Sequence, residues 1–130
     1  MFLAAGAAGL ASSALARSQG LLFHLSCGAI GVKASQTEAI DYAANYGYDA
    51  VDADARYLAG LSDSDLKRLL DDMKAKKVTW AIGGMGVEFR KDDAAFNESL
   101  KKFPESVAAL KRAGVERVTT WITPCSPDVP

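Results

Sequence analysis

The chain has 130 residues, and its 15 Lys and Arg residues against 16 Asp and Glu residues give a formal net charge of −1. This length suits one domain of ordinary size, and the charge balance excludes a strongly basic protein that holds nucleic acid by counterion release. Charged residues at 24% and aromatic residues at 8% exclude wholesale disorder, and two cysteines are too few for a disulfide scaffold.

The first 20 residues differ in composition from the rest of the chain. Residues 2–16 are uncharged, rich in Ala and Gly, and too short for a stable membrane span, which needs roughly 20 apolar residues. They end in Ala14-Leu15-Ala16, the small-x-small spacing that signal peptidases accept. The segment resembles the apolar region of a twin-arginine export signal without its arginine pair. We therefore expect residues 1–20 to be an export signal and the protein to be periplasmic; the alternative is an Ala-rich N-terminal helix in a cytoplasmic protein.

From residue 21 onward, strand-like and helix-like segments alternate. Short apolar or β-branched runs predict four strands, at residues 21–27, 48–54, 78–82 and 115–122. Strands that alternate with helices call for parallel strands joined by right-handed crossovers, which is an α/β fold built from (β/α) units. A doubly wound open sheet and part of a TIM barrel are the two candidates. The loop at residues 83–86 lacks the spacing of a dinucleotide-binding or phosphate-binding loop, which favours the barrel.

Three helices are predicted between these strands. The first begins at a capping box, in which the side chains of Ser35 and Glu38 each satisfy a backbone donor, and it ends at Gly47. The second begins near residue 62 and carries apolar residues at helical spacing. The third covers residues 92–114 and contains Pro104, which cannot donate to the helix ladder, so we expect a kink or a fresh start there.

Three segments carry a resemblance to a known family. They are Leu25-Ser26-Cys27-Gly28, the helix from Ala39 to Gly47 with the strand that follows it to Asp52, and Ala113 to Val118. In order and spacing they resemble the N-terminal half of the sugar phosphate isomerase/epimerase family, which has the xylose isomerase-like TIM barrel. Asp52 stands where that family more usually has Glu. The resemblance covers residues 21–130 and implies four strands and three helices, about half of a barrel that typically takes ~250 residues.

The resemblance also implies a function. The family holds a divalent metal, manganese or a similar ion, at the carboxyl mouth of the barrel through two Glu, an Asp and a His, and moves a proton next to a carbonyl of a sugar or sugar phosphate. Those ligands come from later strands, so this chain is expected to be a fragment of a metal-dependent isomerase or epimerase that is itself inactive and binds no metal. The alternative is a non-catalytic carbohydrate-binding or assembly half-barrel.

The chain contains few histidine and cysteine residues, and their positions narrow the choice of metal site and disulfide. The single histidine, His24, lies inside the first predicted strand rather than at its end, so it is expected to be a packed residue or part of the bottom layer of the barrel, and not a metal ligand. No histidine follows the second or third strand, where the related apurinic endonucleases bind zinc, and this argues against a DNA-repair nuclease. Cys27 and Cys125 follow strands one and four, which are not neighbours in a barrel, so we expect no disulfide between them.

In TIM barrels, the substrate binds at the carboxyl ends of the strands. The candidates for sugar contacts there are Asp52, Asp54, Glu88 and Trp121. Each has a structural alternative: a solvated or loop-capping carboxylate for Asp52 and Asp54, a solvated loop charge for Glu88, and a core aromatic for Trp121. Arg56 is expected to be a surface residue, with phosphate binding as the alternative.

The two outer strands of such a half-barrel would have unpaired backbone groups along one side. Neither residues 21–27 nor residues 118–122 contain a protective lysine or proline. The chain is therefore expected to self-associate through these sheet edges.

Overall fold

Four parallel strands form one sheet in the computed structural model, which describes residues 21–89 and 91–120. The strands are β1 (His24–Leu25), β2 (Ala50–Ala53), β3 (Thr79–Gly84) and β4 (Val118–Thr119), and their order across the sheet is β1-β2-β3-β4. Each strand thus pairs with the next one in the chain, as in a TIM barrel. The predicted α/β class is confirmed, whereas the export signal, Trp121 and Cys125 lie outside the described residues.

Helices connect the strands. They are α1 (Gln36–Tyr46), α2 (Ala55–Ala59), α3 (Asp63–Lys76) and α4 (Asp93–Arg112), and a short 3-10 helix (Gly28–Ile30) follows β1. The capping box of α1 is present as predicted: the Ser35 hydroxyl accepts from the backbone of Glu38, and the Glu38 carboxylate accepts from the backbone of Ser35. The short helix α2 was not predicted, because five residues are too few to show helical periodicity.

Both outer strands are shorter than the sequence predicts. Two residues of β1 are paired, His24 with Ala50 and Leu25 with Val51. Phe23 also contacts the second strand, since its backbone N–H donates to the Asp49 carboxylate, but the chain turns away after Leu25 into the 3-10 helix. Apolar character alone does not show where a strand leaves its neighbour.

The core lies between the sheet and the helices. Ile40 of α1, Val51 of β2 and Leu58 of α2 are fully buried there. The remaining apolar members come from every layer: Leu25, Ala43, Ala53, Leu66, Leu69, Met73, Val78, Ala109, Leu110 and Ala113. Because Leu25, Val51 and Ala53 face the helices, the alternation of side chains along a strand directs His24 and Asp52 to the opposite face of the sheet.

Helix α4 is continuous through Pro104, without a fresh start at that residue. Proline has no N–H, so the carbonyl of Leu100 loses its helical donor. The buried residues of α4, Ala109 and Leu110, both follow Pro104, and none of the preceding residues 93–103 is buried. The C-terminal part of α4 therefore anchors the helix to the core.

At Gly83, β3 and the anchored part of α4 are in close contact. A Cβ atom at this position would lie 2.7 Å from Cδ2 of Leu110. The indole N–H of Trp80 donates to the carbonyl oxygen of Ala113 at 3.0 Å and ties the same strand to the end of α4. Glycine at position 83 therefore lets helix and sheet approach closely.

Candidate functional site

A polar cleft of about 930 Å3 lies at the carboxyl ends of β2 and β3. Its walls are the short helix α2 on one side and the N-terminal two-thirds of α4 on the other, and the loop after β3 closes one end. Parallel α/β proteins bind their ligands at this edge of the sheet, because the loops that vary in sequence meet there. The cleft is therefore the candidate site.

Asp54 is one of the predicted residues that line the cleft. It is the N-cap of α2, and its Oδ1 atom accepts from the backbone N–H groups of Arg56 and Tyr57 at 2.9 and 3.2 Å. The loop-capping role that the sequence left open is thus present, and it holds the carboxylate at the rim. Arg56, on the first turn of α2, is exposed and lines the same cleft.

Glu88 lines the cleft from the loop after β3. Its backbone N–H donates to Oγ of Ser99 at 2.9 Å, and that hydroxyl donates in turn to the carbonyl of Phe96. The Glu88 side chain is 20% exposed, and its carboxylate lies 3.7 Å from Nζ of Lys91. Gly86, two residues earlier, has a φ of 73°, a left-handed conformation that glycine adopts without strain and that turns the loop toward α4.

The α4 wall of the cleft carries paired charges. Lys102 Nζ lies 3.1 Å from a carboxylate oxygen of Glu98, and the hydrogen bond from Lys102 lowers the pKa of Glu98 below its ordinary value. Ser99 and Ser106 add hydroxyl groups on the same side. The cleft thus offers hydrogen-bond donors and acceptors side by side, which is the chemistry that hydroxyl-rich ligands need.

Asp52 does not line this cleft. Its Oδ1 atom lies 2.7 Å from Nε2 of His24, on the face of the sheet away from the helices. His24 and Asp52 remain 31% and 42% exposed, so the histidine is a paired surface residue and not a packed one. The structure therefore separates Asp52 from Asp54 and Glu88, which the sequence had placed together.

Gln36 does not line the cleft, but it supports the strand end from which Asp54 reaches it, and the sequence did not predict this role. It is 7% exposed, and its side chain forms two hydrogen bonds with the end of β2: its amide N–H donates to the carbonyl of Asp52 at 2.9 Å, and its Oε1 accepts from the N–H of Asp54 at 2.7 Å. These are the backbone groups that β1 would pair if it continued past Leu25. Gln36 takes the place of the missing strand and fixes the direction in which Asp54 leaves the sheet.

Clues to the missed residues are weak in the sequence. Gln36 is the first residue of a helix, where polar residues are ordinary, and nothing local shows that it is buried. Ser99 and Lys102 lie on the cleft side of α4, but the sequence pattern predicts that both are solvent-exposed residues between the apolar ones. Only the placement of α4 against α2 brings them to the site.

No group of three or more His, Cys, Asp and Glu side chains among residues 21–89 and 91–120 is arranged to hold a metal ion. His24 and Asp52 already bond to each other, and Asp54 caps a helix. The described residues therefore do not form a four-ligand metal site of the kind that the resemblance implies for the later strands of a full barrel. Within the same residues, no helix is long and apolar enough to cross a membrane.

The fold and the site together define part of a parallel (β/α) barrel with a polar cleft at its carboxyl edge. No family model matches the chain, and no curated protein matches it. Solved structures do match: D-psicose 3-epimerase in the presence of D-fructose (TM-score 0.57, 16% identity), and D-psicose 3-epimerase with D-tagatose from Clostridium cellulolyticum H10 (TM-score 0.57, 15% identity). A xylose isomerase domain protein from Alicyclobacillus acidocaldarius matches with a TM-score of 0.53 and 17% identity.

Each match covers 75% of this chain but only 35–36% of the solved structure. The chain thus spans about a third of the length of the structures that it matches. At these identities the likeness concerns the fold alone, and it confirms the predicted partial TIM barrel.

Proposed function

We propose that this chain contributes the sugar-binding edge of a barrel of the sugar isomerase and epimerase type, with the catalytic metal ligands supplied from outside its 130 residues. The proposed ligand is a sugar or a sugar-like polyol. The observation that carries the proposal is the cleft at the carboxyl ends of β2 and β3, in a fold that matches enzymes solved with D-fructose and D-tagatose.

The chemistry of the cleft supports a hydroxyl-rich ligand. Charged groups of both signs line the cleft: acceptors at Asp54 and Glu88, and donors at Arg56 and Lys102. A sugar hydroxyl both donates and accepts, so it can bond to either kind of group, whereas an apolar ligand would displace water from them without offering a hydrogen bond. A hydrogen bond to Ser99 holds the backbone N–H of Glu88. Less conformational entropy of this loop is therefore lost when a ligand binds.

Catalysis is assigned to the completed barrel and not to this chain alone. Within the described residues, the side chains at the strand ends provide binding groups without a cluster for a divalent ion. We therefore propose that this chain binds the ligand and that groups from outside it transfer the proton. We also propose that the chain self-associates through its outer sheet strands, but a second copy carries the same residues and would not supply those groups.

Titration of the 15N-labelled 130-residue chain with D-fructose, followed by NMR, tests the binding proposal. We expect saturable shifts at Asp54 and at residues 84–88. Glu88→Gln should weaken binding about tenfold, since hydrogen bonds to charged groups contribute about 1.5–3 kcal/mol. Asp71→Asn, which removes a carboxylate of α3 outside the cleft, is the matched control and should leave the affinity unchanged. Shifts that spread evenly over the surface, or that survive Glu88→Gln, would contradict the proposal.

We also propose that residues 1–20 direct export. The support is the uncharged Ala- and Gly-rich run that ends in Ala14-Leu15-Ala16. With upstream arginines restored, a reporter fused after residue 20 should cross the membrane and be trimmed after Ala16. A reporter that stays in the cytoplasm at full length would contradict export.

A further inference from the structure

A second hollow adjoins the candidate cleft at the carboxyl edge of the sheet. It has a volume of about 280 Å3 and lies between the carboxyl ends of β3 and β4. Residues 84–88, at the end of β3 and in the loop after it, line it together with Thr119 and Thr120. Gly84, Gly86 and Glu88 line the cleft as well. The 84–88 segment therefore separates two neighbouring spaces and faces both of them.

The second hollow and the cleft lie on different sides of β3. A Cβ atom at Gly83 would meet Leu110 of α4, so position 83 faces the helices. Because side chains alternate along a strand, position 84 faces the opposite side of the sheet, and so does Thr119, its partner on β4. The second hollow thus opens on the face of the sheet away from the helices, whereas α2 and α4 form the walls of the cleft.

Glycine leaves the space between the cleft and the second hollow open. A Cβ atom placed on Gly84 would have no heavy atom of the described residues within 4 Å. Gly86 has no side chain either, and glycine in or beside a strand often marks a place where a ligand approaches the backbone closely. A ligand can therefore extend from one space into the other across the backbone of the 84–88 segment.

The second hollow suits a neutral group that carries hydroxyls. Among the described residues that line it, Glu88 alone is charged, and Thr119 and Thr120 have hydroxyl groups, which both donate and accept. A phosphate group there would meet a carboxylate, and the same described residues include no Lys or Arg to pair with it. A sugar hydroxyl, in contrast, can donate to the carboxylate and bond to the threonines.

Glu88 lies where groups in both spaces can reach it. Its side chain is 20% exposed, and its backbone N–H donates to Oγ of Ser99 at 2.9 Å, which holds the residue in place. A carboxylate has two oxygen atoms, each of which accepts more than one hydrogen bond. Hydroxyls of two linked sugar units can therefore donate to Glu88 although Nζ of Lys91 lies 3.7 Å from it.

The size of the two spaces favours a ligand larger than one sugar unit. The cleft alone measures about 930 Å3, near the upper end of the range of about 300–1000 Å3 that is typical of pockets for drug-sized ligands. A single sugar unit placed in the cleft would leave the second hollow to water.

We propose that the carboxyl edge has two adjoining subsites, and that its ligand is a disaccharide or another neutral glycoside. One sugar unit lies in the cleft, and the unit linked to it lies in the second hollow against Thr119 and Thr120. This inference rests on the proposed function and names the class of sugar that the site takes.

NMR titration of the 15N-labelled 130-residue chain with lactulose, in which galactose is linked to D-fructose, tests the two subsites, and D-fructose is the comparison. Lactulose should shift the amide signals of Thr119 and Thr120 in addition to those of Asp54 and residues 84–88. It should also bind about tenfold more tightly than D-fructose or better, because the link makes the second contact intramolecular.

Removing one hydroxyl from the second hollow separates the two subsites. Thr119→Val keeps the β-branched shape, so it should weaken lactulose binding about three- to tenfold and leave the affinity for D-fructose within about twofold of the wild-type value. Thr79→Val makes the same change at the amino end of β3, outside both spaces, and is the matched control that should alter neither affinity.

Gly84→Val provides a second test, because it puts a side chain into the open space between the subsites. The variant should fold, since a Cβ atom at this position meets no heavy atom of the described residues within 4 Å and β-branched residues suit a strand. Lactulose should then bind no more tightly than D-fructose.

Two results would overturn the two subsites and leave the proposed function standing, provided that D-fructose binds in the cleft. One is lactulose that binds the wild-type chain no more tightly than D-fructose does. The other is a lactulose affinity that neither Thr119→Val nor Gly84→Val lowers. If neither sugar binds, the proposed function is wrong, and this inference is wrong with it.

Discussion

Replacing Gln36 should destabilise the carboxyl end of β2. In Gln36→Leu, the N–H of Asp54 and the carbonyl of Asp52 both lose their partner beside a residue that is 7% exposed. An unsatisfied buried polar group costs about 1–3 kcal/mol. The added apolar burial of leucine offsets part of this cost, so we expect a net loss of about 2 kcal/mol. Glutamine and leucine have similar helix propensities, so α1 itself should be little affected.

The assay is thermal unfolding followed by circular dichroism. For a domain of this size, a loss of about 2 kcal/mol lowers Tm by about 7–9 °C. Gln36→Glu sharpens the test, because its carboxyl can donate to the Asp52 carbonyl only when it is protonated. The pKa of that carboxyl should therefore be raised in the folded state, and the stability it contributes should be present at acid pH and lost as pH rises. A Gln36→Leu variant with a Tm within about 2 °C of the wild-type value, about 0.5 kcal/mol or less, would refute this account of Gln36.

Three further predictions follow from the structure. Gly83→Ala should lower the free energy of unfolding by about 1–3 kcal/mol, because the new methyl group meets Leu110. Adding Leu110→Val to Gly83→Ala should restore part of the loss, and equal unfolding midpoints for the wild type, the single variant and the double variant would contradict this. Hydrogen bonds from Ser35, Ser62 and Lys102 lower the pKa values of three carboxyl groups, those of Glu38, Asp65 and Glu98. The stability that these groups contribute is therefore present above the ordinary pKa range of carboxyl groups and should be lost as pH falls through the lowered folded-state values, and a Tm that stays constant or rises on acidification would argue otherwise. The purified chain should show no isomerisation of ketoses with any divalent metal, and metal-dependent turnover in a coupled assay would refute that.

Local sequence signals predicted the three longer helices and the parallel order of the strands, but not the short helix α2. The capping box at Ser35 and the leucine spacing of α3 are short-range patterns whose physical basis lies within one or two turns, and both are present in the structure. Strand ends were predicted less well, because β1 ends where the 3-10 helix and Gln36 take over its hydrogen bonds. These hydrogen bonds join residues about ten positions apart, and the apolar pattern of the strand does not predict them.

The candidate site was predicted in part for a similar reason. Asp54 and Glu88 follow strands, and the rule that parallel strands end at one edge brings both to the cleft. Asp52 differs because its direction is set by the alternation along β2, which turns it toward His24. The substrate roles of Asp52, Asp54, Glu88 and Trp121 stay predictions.

Pro104 divides α4 into two parts with different resistance to local opening. The part after Pro104 is held by Ala109 and Leu110, whereas the part that lines the cleft with Glu98, Ser99 and Lys102 buries no side chain. Local opening costs least where few apolar contacts are broken. Amide hydrogens of residues 97–103 should therefore exchange with solvent sooner than those of residues 108–112. This wall of the cleft should therefore open locally while β3 and the core keep their packing.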